Sequence, residues 1–216
     1  DVIAFYERSK SRYDLLLDFE HSDAELRKAL DAAEREVRSL ATLLTQARSK
    51  TAGALVKTIE KELGELGFKR VRFEARITPA DPARTGMDTV VFHISPNPGE
   101  DLKPLAEIVS SGEAARVMLA LKKALIDADP IPVLIFDEID AQIGGRLGDI
   151  TGKKLKELAA RRQVLLITHL PQIAGFADHH FKVDKKVSGK RTVTIVSELA
   201  GKEQRVEELA HMMSGE

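Results

Sequence analysis

The chain has 216 residues, and its 33 Lys and Arg against 34 Asp and Glu give a formal net charge of −1. This balance excludes a global basic field for nucleic acid or membrane surfaces, so any basic surface must be local. The absence of cysteine excludes disulfides and thiolate metal sites, and no apolar run approaches the ~20 residues of a membrane span.

The first residues contain neither a methionine nor the layout of a signal peptide. We therefore expect the chain to begin in the middle of a longer protein and to work in a reducing compartment. The length suits one domain with an appendage, or two small domains.

Residues 1–66 are charged, contain no proline and predict a long helix. Ser22 with Glu25 forms a capping box, which predicts a helix start at that point. Apolar residues then repeat with a 3.5-residue period, at Leu26, Leu30, Ala33, Val37, Leu40, Leu44 and Ala47. An ordinary amphipathic helix is the alternative, but the strict period and the charges around it favour a coiled coil.

This helix is expected to end near Gly64 or Gly67, and ~40 residues would reach about 60 Å. A coiled-coil arm cannot bury its own seam, so we expect a partner helix. Residues 1–20 could supply only a short piece of it.

Between residues 67 and 109 the apolar period changes to two. Val71 to Ile77 and Val90 to Ile94 each alternate with polar residues, which predicts two half-buried strands. Residues 78–87, with two prolines and a glycine, are predicted to be a loop. For the basic residues of this segment we favour a solvated strand face over contacts with phosphates. These residues are Lys69, Arg70, Arg72 and Arg76.

Small residues at positions 110–112 lead directly into an apolar-periodic helix. We call this segment the serine–glycine turn; it consists of Ser110, Ser111, Gly112 and Glu113. Such a turn presents backbone N–H groups and hydroxyls, and the helix dipole favours an anion in front of it. A well-capped helix without a ligand is the alternative.

A continuous apolar run over residues 132–136 is followed by three acids. The run predicts a strand buried on both faces, and Asp137, Glu138 and Asp140 follow at its carboxyl end. Open α/β sheets bind ligands at that end. A buried strand followed by an ordinary polar loop is the alternative.

The rest of the chain completes a βαβ unit. A helix over 147–160 and a second apolar strand over 163–169 follow, and His169 lies at the tip of that strand. A histidine at a strand end is more often structural than functional. Residues 181–185 and 192–198 alternate like edge strands, a terminal helix covers 203–213, and the basic residues from Lys182 to Arg191 read as an exposed hairpin.

Taken together, these motifs resemble an ABC-type ATPase head. The serine–glycine turn is similar to the signature motif, with departures at Val109 and Ser111, and Phe136-Asp137-Glu138 is similar to Walker B. With a coiled coil attached, the chain resembles SMC-like heads. Within that group it resembles the bacterial RecN family of DNA-repair proteins, on the strings 136–140, 143–146 and 168–174.

The resemblance implies an α/β fold: one half of a head with a mixed sheet and flanking helices, P-loop NTPase-like, after a long N-terminal coiled-coil helix. The arm would cover residues 1–66 and the head 67–216. A phosphate-binding P-loop is missing from the sequence, because the nearest string, residues 148–154, has Lys154 where a hydroxyl belongs. In the family the P-loop lies in the N-terminal half, so the resemblance is to the C-terminal half.

The resemblance also implies roles. Asp137 would support Mg²⁺, Glu138 would activate water, and His169 would contact the γ-phosphate of ATP. The serine–glycine turn would bind the γ-phosphate of the second head, and Asp140 would lie in the D-loop. The implied partners are the protein's own N-terminal half, a second head in a homodimer, and DNA, without a membrane.

The implied function is DNA double-strand-break repair and recombination in the bacterial cytoplasm, at the nucleoid, with ATP closing and hydrolysis releasing the head dimer. The chain alone should lack ATPase activity. Two alternatives stay open: a metal-dependent nuclease that uses Asp137, Glu138 and Asp140, and a non-enzymatic coiled-coil scaffold.

Overall fold

The computed structural model describes residues 1–107, 110–141, 143–188 and 191–214, with the side chains of 18, 20, 21 and 188 left out. The chain forms two compact units. The arm unit comprises Asp1–Ala52 and Ile77–Val90, and the head unit comprises Gly53–Arg76 and Val91–Glu216. These units are defined by spatial contacts and each contains two stretches of sequence. The arm–head boundary after residue 66 stays a prediction.

Helix α1 spans Val2–Glu65 without a break. The helix start predicted at Ser22 is therefore wrong: helix-forming residues on both sides override one capping pattern. Residues 1–20 extend the same helix and supply no partner for the seam. The predicted end is confirmed, because Gly67 adopts a left-handed φ of +94° and the Phe68 amide donates to the Leu63 carbonyl at 3.1 Å.

In the arm unit, α1 keeps its seam exposed and binds a β-hairpin on another face. Leu26, Leu30 and Leu40 are exposed, whereas Ala41 is buried. The buried Asp88 carboxylate accepts a hydrogen bond from Thr45 at 2.5 Å and pairs with the Arg48 guanidinium. The tip of the hairpin is thus fixed to α1 by a buried ion pair.

The hairpin is longer than the sequence predicts. Strands β1 (Arg72–Ala83) and β2 (Gly86–Ser95) meet at a two-residue turn, and β3 (Lys103–Pro104) pairs antiparallel with β2. The loop predicted over 78–87 is wrong, because β1 is an edge strand. Prolines are tolerated on an edge strand, where some N–H groups face solvent.

The centre of the head unit is the predicted βαβ arrangement, which the structure confirms. Strand β4 (Val133–Phe136) pairs in parallel with β5 (Gln163–Leu166), in the register Phe136 to Leu166, and α3 (Gly145–Ala159) connects them. Helix α2 (Ser111–Ala124) precedes β4. The core combines α1, α2 and α3 through residues such as Leu63, Leu119 and Leu158.

The prediction that β4 is buried on both faces is wrong. Leu134 and Phe136 are buried, but Ile135 is 71% exposed, and Leu165 of β5 is exposed as well. One face of the parallel sheet therefore carries apolar side chains that no described residue covers.

The C-terminal part adds a short helix α4 (Pro171–Ala174), an antiparallel pair β6 (Phe181–Ser188) and β7 (Arg191–Glu198), and helix α5 (Lys202–Ser214). The predicted edge strands and terminal helix are confirmed. Among the described residues, no helix is both long enough and apolar enough to cross a membrane.

Candidate functional site

The serine–glycine turn opens α2 as predicted. Ser110 is the N-cap with extended backbone, and its hydroxyl accepts a long hydrogen bond from the Glu113 amide at 3.5 Å. Ser111 is exposed, whereas Gly112 is buried. Val109, one of the two departures from the signature motif, lies outside the described residues.

Gly112 packs closely against Ala141, a contact that the sequence does not reveal. A Cβ added at Gly112 would lie 2.8 Å from the Ala141 Cβ and 3.0 Å from the Ala141 carbonyl oxygen. The close approach that glycine permits is therefore to the loop after β4. Contact of Gly112 with a phosphate stays a prediction.

The acids leave β4 on a tight turn, residues 137–141, which we call the acidic loop. The Asp137 and Glu138 side chains are exposed, and Ile139 is fully buried. The Glu138 amide donates to Asp137 Oδ1 at 3.0 Å, and the Ala141 amide donates to the Glu138 carbonyl at 3.0 Å. Glu138 has a left-handed φ of +55°, a conformation that is costly for a side chain with Cβ and concentrated at functional sites.

Asp140 points inward and is only 3% exposed. Its Oδ2 atom accepts hydrogen bonds from the Thr168 hydroxyl at 2.5 Å and from the His169 amide at 2.8 Å. Asp140 thus connects the acidic loop to the segment that follows β5, and its Oδ2 atom faces protein donors.

His169 lies beside the acids, as its position at the strand end predicts. Its ring is 73% exposed, and Nδ1 lies 3.0 Å from Asp140 Oδ2. Nδ1 therefore faces the Asp140 carboxylate, and Nε2 is the ring nitrogen on the side away from it. The segment that contains His169 is also joined to β4 by a backbone hydrogen bond, which the Ile167 amide donates to the Phe136 carbonyl at 3.0 Å.

Sequence reasoning missed Arg116, which lies one helical turn after Gly112. Its Nη1 donates to the Ala141 carbonyl at 3.0 Å, and its guanidinium carbon lies 5.5 Å from the centre of the Phe68 ring. Burial lowers the pKa of Arg116 below its ordinary value, although nearby Glu113 opposes this effect. Its position within an apolar-periodic helix gave no signal of a polar contact.

The site can supply oxygen ligands but not a closed metal cage. Mg²⁺ commonly keeps several waters and takes one or two carboxylates together with phosphate oxygens, which the exposed Asp137 fits. Within the described ranges, no group of three His, Cys, Asp or Glu side chains could hold a metal ion. Asp140 is turned into the protein, so the three acids do not converge as the nuclease alternative requires.

The string that most resembles a P-loop has another role. Residues 148–154 lie inside α3, and the buried Lys154 amine binds the carboxylates of Glu62 and Glu65 at the end of α1. Lys123 of α2 pairs with Glu62 at 3.2 Å. This cluster connects α1 to α2 and α3 and is not arranged to hold phosphates.

Comparison with known proteins gives consistent relatives. No family model matches the chain. The DNA repair protein RecN of Deinococcus radiodurans is 40% identical over the whole chain, which covers 38% of that protein. RecN of Synechocystis sp. is 37% identical, again over the whole chain and 39% of that protein, and RecN of Haemophilus influenzae is 34% identical.

Solved structures give the same fold. The Smc head domain with a coiled coil and joint from Pyrococcus yayanosii matches 78% of this chain and 31% of its own, with a TM-score of 0.55 and 23% identity. The Smc head domain with an extended coiled coil from Pyrococcus furiosus matches 75% of this chain and 39% of its own, with a TM-score of 0.50 and 21% identity.

The resemblance to RecN is confirmed, and the Smc head domains show the same fold. The fold class is confirmed with it: an α/β head with a long N-terminal helix. The chain spans about two-fifths of the length of these RecN relatives. In this RecN-like region the predicted residues form one cluster, with the serine–glycine turn, the acidic loop and His169 joined through Ala141 and Asp140.

Proposed function

We propose that the chain is the C-terminal lobe of an SMC-like ATPase that acts in DNA double-strand-break repair and recombination. In this proposal ATP binds between two heads and closes them, and hydrolysis releases them, which governs how the protein holds DNA. The relatives are named DNA repair proteins. The chain matches only part of them, so the activity of the whole protein is inferred.

The observation that carries the proposal is the contact of three segments at the carboxyl edge of the parallel sheet. The serine–glycine turn touches Ala141, and Asp140 of the same loop binds Thr168 and His169. Open α/β sheets bind ligands at this edge. A scaffold needs no such convergence of exposed Asp137, Glu138 and His169 side chains.

Within one head, Glu138 would accept the proton of the attacking water, since its carboxylate is exposed and held at a fixed turn. His169 would donate from a hydrogen on Nε2 to the γ-phosphate, because Nδ1 faces Asp140. When bound at Asp137, Mg²⁺ supplies charge neutralisation for the transferred phosphoryl group.

The serine–glycine turn would act on the nucleotide of the other head. The hydroxyls of Ser110 and Ser111 and the first N–H groups of α2 form a donor set with a favourable dipole for an anion. The head-to-head homodimer would therefore hold each ATP between the acids of one head and the turn of its partner.

A P-loop must come from elsewhere, because the sequence lacks one. We assign it to the N-terminal half of the same protein. The exposed apolar face of β4 and β5, which includes Val133, Ile135 and Leu165, supports this assignment, since parallel sheets are normally covered on both faces. The exposed seam of α1 calls for a partner helix in the same way.

The test uses the full-length protein and this chain side by side. Sedimentation with and without Mg²⁺·ATP should give an ATP-dependent dimer for the full-length protein. Titration calorimetry should give little ATP binding for the chain alone, because the P-loop supplies most phosphate contacts. Absence of ATP hydrolysis by the full-length protein would refute the proposal; micromolar ATP binding by the chain alone would reveal a nucleotide site of its own.

A further inference from the structure

Arg116 is a buried cation; the charge of nearby Glu113 acts on it, but the two side chains form no ion pair. The residue is 8% exposed, and among the described residues no carboxylate forms an ion pair with it. Its Nε atom is buried and has no hydrogen-bond partner in the part of the chain that the structure describes. Removing a guanidinium from water without an anionic partner is costly, so an Arg at this position must perform a task that an apolar residue cannot.

The task visible in the structure is to hold the acidic loop against the serine–glycine turn. Arg116 Nη1 donates to the Ala141 carbonyl, while the missing side chain of Gly112 leaves just enough room for Ala141. Phe68 supports the guanidinium from the other side. The acidic loop is thereby held by the Arg116 hydrogen bond and packed against the Gly112 backbone, and both residues lie on the first turns of α2.

The acidic loop also contacts His169, the residue that we assign to the γ-phosphate. Asp140, the neighbour of Ala141, binds the Thr168 hydroxyl and the His169 amide and ring. A continuous path of direct contacts therefore runs from α2 through Arg116, Ala141 and Asp140 to His169. In the proposed dimer, the two ends of this path face different ATP molecules.

We propose that Arg116 is a positioning residue that couples the two ATP sites of the head dimer. It touches neither nucleotide; it keeps the serine–glycine turn and His169 in one rigid arrangement, so that closure on one ATP sets the geometry for the other. This inference rests on the proposed function, because it requires two composite sites.

The experiment measures the ATP dependence of hydrolysis by the full-length protein and its Arg116→Met variant. The parent should be cooperative, with a Hill coefficient that approaches about 2, and the variant should fall towards about 1. ATP-induced dimerisation at saturating ATP should persist in the variant, because the serine–glycine turn and the acids are intact.

Arg162→Met is the matched control. Arg162 is half-buried. Like Arg116 it donates to backbone carbonyls, of Ile126 at 2.7 Å and Asp129 at 2.8 Å, but these lie beyond the opposite end of α2. Its loss should lower the thermal unfolding temperature by a similar amount and leave the Hill coefficient at the parent value. A merely structural role for Arg116 would make the two variants alike.

Arg116→Gln is a second variant in case the methionine protein does not fold. A lower Hill coefficient in every folded Arg116 variant, and not in Arg162→Met, supports the proposal. A parent Hill coefficient of about 1, or unchanged cooperativity in the Arg116 variants, overturns the coupling and leaves the ATPase assignment standing. A parent without ATP hydrolysis overturns both.

Discussion

The carboxylate of Asp140 lies 2.5 Å from the hydroxyl of Thr168, and this one contact joins the loops that follow two neighbouring parallel strands. The acid is buried, so it is not a surface group that happens to be near a histidine. Its Oδ2 atom orients His169 through the backbone amide and the ring together. The orientation of a group that we assign to the γ-phosphate therefore depends on a buried side chain.

Thr168→Val should destabilise the chain by ~1–3 kcal/mol, because a buried carboxylate loses a hydroxyl donor while the shape is kept. Urea unfolding of the chain measures this. Thr151→Val is the control: Thr151 is fully buried in α3 and its hydroxyl has no hydrogen-bond partner among the residues described, so replacing it should be neutral or slightly stabilising. Equal losses in both variants would mean that the Thr168 hydroxyl contributes nothing specific.

Much of this arrangement could be predicted from the sequence, because strand ends are readable. The apolar runs before Asp137 and Thr168 locate two parallel strands, and parallel strands bring their following loops to one edge. The end of α1 was equally readable from Gly67. Such inferences depend on local pattern, and local pattern is what a single sequence carries.

The failures have long-range causes. Ser22 resembles a cap but lies within a helix that continues from Val2. Pro79 and Pro82 suggest a loop, yet an edge strand accommodates them. Arg116 and Ala141 lie 25 residues apart, and no periodicity signals that a helical arginine meets a distant carbonyl.

Gly112→Ala tests the contact between the serine–glycine turn and the acidic loop. The new Cβ would overlap the Ala141 backbone and side chain, which should cost about 1–3 kcal/mol through overpacking. Gly53→Ala is the matched control, because a Cβ at this α1 position meets no atom of the described residues within 4 Å. It should stabilise the chain by ~0.5–1 kcal/mol. Denaturant unfolding of both variants checks the opposite signs, and a stabilised Gly112→Ala protein would show that the loop is free to move away.

The charge cluster at the end of α1 should make stability depend on pH. A hydrogen bond from Lys154 lowers the pKa of Glu65 below its ordinary value of 4.5, against a smaller opposing effect of burial. Because the folded-state pKa is depressed, this stabilisation is present above pH 4.5 and is lost as the pH falls through the folded-state pKa.

Unfolding by urea at several pH values between about 6 and about 3 measures this loss. Glu65→Gln should show a weaker fall in the free energy of unfolding than the parent over that range, whereas Glu34→Gln, on the exposed part of α1, should follow the parent. An identical pH profile for all three proteins would show that Glu65 does not contribute to the loss of stability in acid.

Glu138→Gln should separate nucleotide binding from turnover in the full-length protein. The amide is nearly isosteric and still hydrogen-bonds water, but it cannot accept a proton, so hydrolysis should fall by about 10²–10⁴-fold. ATP binding and the ATP-induced dimer should persist. Asp184→Asn, a change on strand β6, serves as the control for loss of one carboxylate. Hydrolysis by Glu138→Gln close to the parent rate would show that another group is the base.

Ser110→Arg tests the action of the serine–glycine turn on the partner head. Ser110 caps α2 with only a long hydrogen bond to the Glu113 amide. Loss of the cap should therefore cost no more than about 1 kcal/mol, and the fold should survive. ATP should still bind within each head, while the bulky cation blocks the head–head contact, so dimerisation and hydrolysis should fail together.

Sedimentation of the full-length Ser110→Arg protein with and without ATP measures the dimer, and nucleotide titration measures binding by each head. Ser110→Ala is the matched comparison: it loses the same cap and one hydroxyl donor of the turn without adding bulk, so its ATP-induced dimer should be weakened less than that of Ser110→Arg. If Ser110→Arg still dimerises with ATP like the parent, residues 110–113 only cap a helix and the assignment of this turn to the partner's nucleotide is wrong.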